Sequence, residues 1–180
     1  MIKTDVNSIL TNQVKSNLLE LAAYLKTYVI DGLLGDMQDA QTRFDLTEFY
    51  ESDGDVDDYE CGSTACAVGH FAIMRGYRVS EIGVYDEIAG WIDWRKFSTD
   101  SIGLCSENYH TPVWDWVFSG EWAGLDNTPL GVVARIEYLL DEGLPKGFCD
   151  TLLSKHKTGE PLVALYLPRR EALELECGIR

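Results

Sequence analysis

Apolar residues recur at three- and four-residue intervals in the first part of the chain. Over residues 12–30 this spacing produces one apolar stripe along a helix, and Gly32 and Gly35 interrupt the pattern beyond it. We therefore predict a long amphipathic helix that buries this stripe in the core. The stripe consists of Val14, Leu18, Leu21, Ala22, Leu25 and Val29.

A hydroxyl residue directly before a proline marks the start of two later helices. Thr111 precedes Pro112 and Thr128 precedes Pro129, so each pair combines an N-cap with a proline suited to the first helical position. The second of these helices is predicted to run to about residue 141, with Gly143 ending it. Its core-facing residues are Val132, Val133, Ile136, Leu139 and Leu140.

A shorter helix is predicted over residues 65–75. Ser63 or Thr64 is its N-cap, and Gly76 ends it. Residues 77–104 fit either a short strand or a helix. Residues 145–157 favour another helix, and residues 160–177 combine an apolar run with a charged helical tail that begins at Pro168.

The pattern as a whole predicts a mainly α fold, a small single-core helical domain with room for one short strand pair. Residues 1–142 form the helical domain, and residues 143–180 are a C-terminal helical appendage that is packed on it or partly extended. A length of 180 residues and a hydrophobic share of 46% are ordinary for one globular core.

Negative charge is concentrated in one part of the chain. The net charge is −15, and residues 31–60 hold eleven acids against one base, Arg43, which gives −10 in that block. Such a field attracts basic protein surfaces and repels nucleic acid and anionic membranes, although acidity also maintains solubility. We predict a basic protein partner, with no direct nucleic-acid or membrane binding. The predicted partner-binding residues are Asp53, Asp55, Asp57, Asp58 and Glu60.

The compartment is predicted from what the sequence lacks. The chain has no run of about 18 apolar residues, and its first five residues lack the layout of a signal peptide. Its five cysteines are scattered rather than arranged as a disulfide framework. We therefore expect a cytoplasmic protein with free thiols.

The segment 61–70, Cys-Gly-Ser-Thr-Ala-Cys-Ala-Val-Gly-His, holds the densest group of reactive residues. On a helix Cys66 and His70 share a face, and Cys61 precedes the N-terminus, where the helix dipole lowers a thiol pKa. These three residues are the catalytic candidates of a Cys-dependent enzyme, with either cysteine as nucleophile and His70 as base. The alternative is packing, because the small residues of this segment suit a helix lying close to its neighbours.

Metal and cofactor binding are not predicted. A zinc site would combine the 61–70 segment with Cys105 or His110, but the ligand spacing departs from that of known zinc motifs. The acidic run resembles the start of a calcium-binding EF-hand loop. It has Asp58 where that loop requires glycine and Thr64 where it requires a bidentate glutamate.

The five tryptophans all lie between residues 91 and 122. Trp114 and Trp116 are two apart, so on a helix they point in different directions. We predict one for the core and the other for a surface or groove, which makes both candidates for binding a small ligand such as a nucleotide. The alternative is a core built from large side chains.

Three motifs occur in order between residues 44 and 140. The first is the 61–70 segment, the second is Trp-x-x-Val-Phe at residues 114–118, and the third is Thr-Pro-Leu-Gly-Val-Val-Ala-Arg-Ile at residues 128–136. This block, about half of the chain, resembles a group of small uncharacterised proteins encoded by bacteria and their phages. The resemblance implies no established activity. It does imply that either histidine or tryptophan is accommodated at position 70, which disfavours a catalytic or metal-binding role for His70.

These observations lead to one hypothesis and two alternatives. The leading hypothesis is a non-enzymatic acidic binding protein, a phage-encoded inhibitor of a host or defence factor that engages a basic surface. The first alternative is the Cys-dependent enzyme that uses Cys61 or Cys66 with His70. The second is a nucleotide sponge that uses the tryptophan-rich region around Trp114 and Trp116.

Overall fold

The computed structural model describes residues 10–34, 44, 66–76, 97, 101–106, 109–119, 122–146, 148 and 159–179. Within these ranges the chain is mainly α-helical, which confirms the predicted fold class. One short antiparallel pair joins β1 (Cys105–Ser106) to β2 (Tyr109–His110), with Cys105 opposite His110. The helices are α1 (Asn12–Leu34), α2 (Ala67–Met74), α3 (Pro112–Phe118), α4 (Ala123–Asp126), α5 (Pro129–Glu142) and α6 (Gly159–Glu176).

Helix α1 buries the stripe that its sequence predicts. Thr11 caps it, since the hydroxyl oxygen accepts a hydrogen bond from the amide of Val14 at 3.3 Å. All six side chains of the predicted stripe are buried. The helix continues to Leu34, past Gly32, where the sequence predicted a break. A single glycine costs a helix only about 1 kcal/mol relative to alanine, so it weakens the helix without ending it.

Helix α5 is the central element of the core. It begins as predicted, because the Thr128 hydroxyl accepts a hydrogen bond from the amide of Gly131 at 3.0 Å and Pro129 occupies the first turn. It ends at Gly143, which has a φ of 77° and donates its amide hydrogen to the carbonyl of Leu139. The first two turns of α5 are buried on all sides, and the helix packs against α1 and α6.

Helices α2 and α3 differ in how well their starts were predicted. Helix α3 begins as expected, because the Thr111 hydroxyl accepts from the amide of Trp114 and donates to the carbonyl of Leu104. Helix α2 begins at Ala67, two residues later than predicted, with Cys66 at the N-cap position in an extended conformation. Its end agrees with the prediction, since Gly76 has a φ of 71°.

Helix α6 runs without interruption through Pro168, where the sequence predicted the start of a separate charged tail. The proline removes the hydrogen bond to the carbonyl of Ala164, but the buried face holds the helix in place. That face consists of Leu162, Tyr166 and Leu173, and it packs against α5. No helix within the described ranges has the length and apolar content needed to cross a bilayer.

Asn17 connects α1 to two other parts of the chain. Its buried side-chain amide donates to the carbonyl of Ser101 at 3.0 Å. Its side-chain oxygen accepts from Arg75, at the end of α2, also at 3.0 Å. One side chain therefore satisfies a carbonyl and a guanidinium that lie far apart in sequence.

Replacement of Asn17 by alanine is expected to destabilise the protein by about 1–3 kcal/mol, because the carbonyl of Ser101 and the guanidinium of Arg75 each lose a partner. Urea denaturation measures this change. The matched control is Ser16→Ala, at the neighbouring exposed position, for which we expect a change below about 0.5 kcal/mol. Equal free energies of unfolding for the two variants would contradict the role assigned to Asn17.

Candidate functional site

The described residues include two of the three catalytic candidates. Cys66 and His70 lie at the start of α2, whereas Cys61 lies outside the described residues. The predicted partner-binding residues Asp53, Asp55, Asp57, Asp58 and Glu60 also lie outside them.

Cys66 and His70 are one helical turn apart, and both are buried. The amide of His70 donates to the carbonyl of Cys66 at 2.9 Å, as expected for the first turn of a helix. Cys66 is a thiol rather than half of a disulfide, and 3% of its surface is exposed. Burial of both side chains favours the packing interpretation of this segment, because a nucleophile must reach its substrate.

Three aromatic rings surround the imidazole of His70. The ring centroids of Tyr28, Phe44 and Tyr24 lie 4.7, 5.6 and 5.9 Å from that of His70, with Tyr28 in an edge-on arrangement. Neither ring nitrogen of His70 has a hydrogen-bond partner among the described residues. Burial lowers the pKa of His70 to about 4, so the imidazole is neutral at physiological pH. We refer to these four residues as the His70 cage.

The burial of Cys66 leads to a direct prediction about its reactivity. In the native protein we expect iodoacetamide to alkylate Cys66 at least ~100-fold more slowly than in the urea-unfolded chain, since reaction requires local opening. Peptide-resolved mass spectrometry separates it from the other cysteines. Cys177 is the internal comparison, because it is also buried and burial raises the pKa of its thiol. Rapid native labelling of Cys66 would instead support the Cys-dependent enzyme.

Trp114 and Trp116 are both buried, so the prediction that one of them lines a surface or groove is wrong. They do point in different directions on α3, but the helix is enclosed on both sides. Trp114 packs against Phe118, with the ring centroids 4.8 Å apart. The indole nitrogen of Trp116 donates to the carbonyl of Arg135 at 2.9 Å. Its ring contacts those of Trp122, Tyr138, Phe148 and Tyr166.

A buried arginine lies beside this aromatic group. Arg135 has no exposed surface, and its guanidinium carbon lies 4.7 Å from the ring centroid of Trp122. Its terminal nitrogens donate to the hydroxyl of Tyr166 at 3.4 Å and to the carbonyl of Val117 at 3.5 Å. Burial lowers the pKa of Arg135 and raises that of Tyr166 to about 12.

A buried carboxylate completes the same group. Asp126 accepts a hydrogen bond from the Thr128 hydroxyl at 2.7 Å and forms an ion pair with Arg170 of α6 at 3.0 Å. Gly131 makes room for it, because a Cβ atom there would lie 2.3 Å from the Asp126 Oδ2 atom. We call Asp126, Arg135, Tyr166 and Arg170 the Arg135 cluster; it connects α6 to α4 and α5.

Sequence reasoning missed the Arg135 cluster. The sequence feature that could have indicated this cluster is Arg135, which lies within the apolar stretch 132–136 at a position that a helix of this pattern buries. The cluster is suited to fixing helices in place rather than to chemistry, because Asp126 and Arg170 form an ion pair and the other two side chains, Arg135 and Tyr166, are buried. Asp126 Oδ2 and Arg135 Nε have no hydrogen-bond partner among the described residues.

Fold and site together define a small, mainly helical domain whose described polar clusters are buried. Among the described residues, no group of three or more His, Cys, Asp or Glu side chains is arranged to hold a metal ion. Comparison of the chain with protein-family models, curated proteins and solved structures gives no match.

Proposed function

We propose that this protein is a non-enzymatic acidic binding protein that engages a basic protein surface. The observation that carries the proposal is the distribution of charge, because residues 31–60 contribute −10 of the net −15. A block of this sign and density accelerates association with a basic surface and selects against acidic ones. The proposed contact residues are Asp53, Asp55, Asp57, Asp58 and Glu60.

Four cations of the helical framework support this proposal, because carboxylates of the same framework already engage them. Lys26 pairs with Glu137 at 3.1 Å, and Arg75 pairs with Glu20 at 2.7 Å. Arg169 pairs with Asp141 at 3.2 Å, and Arg170 pairs with Asp126 at 3.0 Å. The acidic block is therefore not needed to pair these four cations.

The resemblance to phage-encoded proteins adds a biological setting to the proposal. A cytoplasmic inhibitor of this charge would bind the basic surface that a host or defence factor presents to nucleic acid, and would exclude the nucleic acid from it. Burial of Cys66, His70, Trp114 and Trp116 supports this function over the enzyme and the nucleotide sponge.

Capture of DNA-binding proteins tests the proposal. Immobilised protein is incubated with the DNA-binding fraction of a bacterial lysate at about 50 and 500 mM salt, since exposed charges are largely screened at the higher concentration. We expect capture at low salt and release at high salt. The variant with Asp53, Asp55, Asp57 and Asp58 all changed to asparagine is expected to capture at least ~10-fold less.

A charge-matched variant is the control. Neutralising Glu81, Asp86, Glu87 and Asp93 removes the same four charges from another short segment and is expected to leave capture unchanged. If the two variants lose capture equally, total charge rather than the acidic block governs binding. If wild type captures nothing at either salt concentration, the proposed function is wrong.

A further inference from the structure

His70 connects α2, to which it belongs, with α1. Its imidazole contacts the rings of Tyr24 and Tyr28 on α1 and the ring of Phe44, and only 4% of the residue is exposed. Both ring nitrogens lack a hydrogen-bond partner among the described residues. A phenylalanine would make similar ring contacts without leaving polar atoms unsatisfied, so packing alone does not account for an imidazole at this position.

A protonated His70 would have no counter-charge among the described residues that surround it. The titratable groups that face it from α1 are the phenols of Tyr24 and Tyr28, Phe44 contributes none, and Cys66 lies one turn before it on α2. Phenols and thiols are neutral in acid, so neither balances a positive charge. Attraction between a cation and aromatic rings recovers only part of the hydration that a buried charge loses. The pKa of about 4 for His70 has this cause, and the closed cage favours the neutral ring.

Helix α2 is the element that such a charge would displace. It has eight residues, Ala67–Met74, and a helix of that length is unstable in water without tertiary contacts. Among the described helices it packs mainly on α1, whereas α1 also packs on α5 and α5 on α6. Arg75, directly after α2, pairs with Glu20 of α1 at 2.7 Å, but these side chains are 36% and 48% exposed, so the ion pair holds the helix only weakly. The contact between α1 and α2 can therefore open while α1, α5 and α6 stay packed.

We propose that α2 and the His70 cage form an acid-sensitive switch, in which neutral His70 holds α2 against α1 and protonation of the imidazole releases α2 from the folded core. Opening transfers the imidazolium into water and uncovers the thiol of Cys66 at the start of α2. It also removes the contact between His70 and Phe44, which belongs to the acidic block of residues 31–60. The switch is a local transition, and it acts before the chain as a whole unfolds.

Hydrogen exchange of the intact protein, measured by mass spectrometry at pH 7.5 and 4.5, tests this proposal. Rates are first corrected for the pH dependence of intrinsic exchange. We expect the protection of the α2 amides to fall roughly 50–100-fold between the two pH values, because the pKa of His70 is about 4 when buried and about 6.5 when exposed. At pH 4.5 the α2 amides should exchange at least ~10-fold faster than those of α5, which remain in the folded core.

Two variants assign the change to the imidazole. His70→Phe keeps a ring in the cage but cannot be protonated, so its α2 protection is expected to change less than about threefold between the two pH values. Glu20→Gln removes the ion pair with Arg75 and leaves the imidazole in place, so it should show the same fall in protection as wild type. Protection of the α5 amides in the same samples checks that each protein is folded.

Three results would overturn the switch, and the first two need only the wild-type protein. If α2 protection is the same at both pH values, protonation does not open the helix. If α2 and α5 amides are equally protected at pH 4.5, the protein opens only as a whole. If the fall in protection persists in His70→Phe and disappears in Glu20→Gln, the ion pair with Arg75 is the acid-sensitive element. None of these results bears on the proposed function, which the capture experiment tests separately.

Discussion

Replacement of His70 by phenylalanine is expected to remove the acid sensitivity of folding that comes from burying this imidazole. The pKa of His70 is about 4 in the folded protein and about 6.5 when unfolded, so the unfolded chain binds the proton more readily. The contribution of neutral His70 to the free energy of unfolding is fully present above about pH 6.5 and is lost as the pH falls towards 4. Between about pH 7.5 and 4.5 wild type should lose roughly 2–3 kcal/mol through this group.

Urea denaturation at these two pH values measures the effect. His70→Phe is expected to unfold at the same or a higher urea concentration than wild type at pH 7.5, because the phenyl ring fits among Tyr24, Tyr28 and Phe44 and no longer buries two nitrogens without partners. The control Ser16→Ala, at an exposed position without a titratable side chain, should retain the acid sensitivity of wild type. Identical pH dependence in His70→Phe and wild type would show that the His70 cage does not hold a neutral imidazole.

Replacement of Gly131 by alanine is expected to destabilise the protein by about 3–5 kcal/mol. The added Cβ atom would lie 2.3 Å from Oδ2 and 2.4 Å from Cγ of Asp126, and neither distance is tolerated. The carboxylate must move, and its movement breaks the ion pair with Arg170 and the hydrogen bond from Thr128. Urea denaturation at neutral pH measures the change in the free energy of unfolding.

A double-mutant cycle with Asp126→Ala isolates the cause. Once the carboxylate is absent, Gly131→Ala should cost less than about 1 kcal/mol, so the two substitutions are strongly non-additive. Additive effects would mean that α5 tolerates the methyl group by another movement. Helix propensity alone would make Gly131→Ala stabilising, because alanine favours the helix more than glycine does. The cycle also separates this effect from the steric role of Gly131.

The parts of the fold that depend on local signals could be predicted. The buried stripe of α1, the threonine caps of α3 and α5, and the glycines that end α2 and α5 all agree with the structure. Each depends on residues within one or two turns of one another. Helix periodicity, capping and positive φ are properties of such short segments.

The parts that depend on distant residues could not be predicted. Trp116 is buried because Phe148 and Tyr166 close over it, and neither lies near it in sequence. Helix α6 continues through Pro168 because the core on its other face holds it. The predicted contact residues 53–60 of the acidic block and Cys61 lie outside the described residues, so their roles remain the predictions made from sequence.

The Arg135 cluster has a consequence for how the chain matures during synthesis. Arg135 and Asp126 are synthesised before Tyr166 and Arg170, yet they depend on these later residues for a hydrogen bond and an ion pair. Until those two residues emerge, a buried guanidinium and a buried carboxylate each lack a partner, which strongly disfavours the closed core. The core around α5 is therefore expected to close only after α6 has been synthesised, and a nascent chain that stalls before α6 should remain open to proteases.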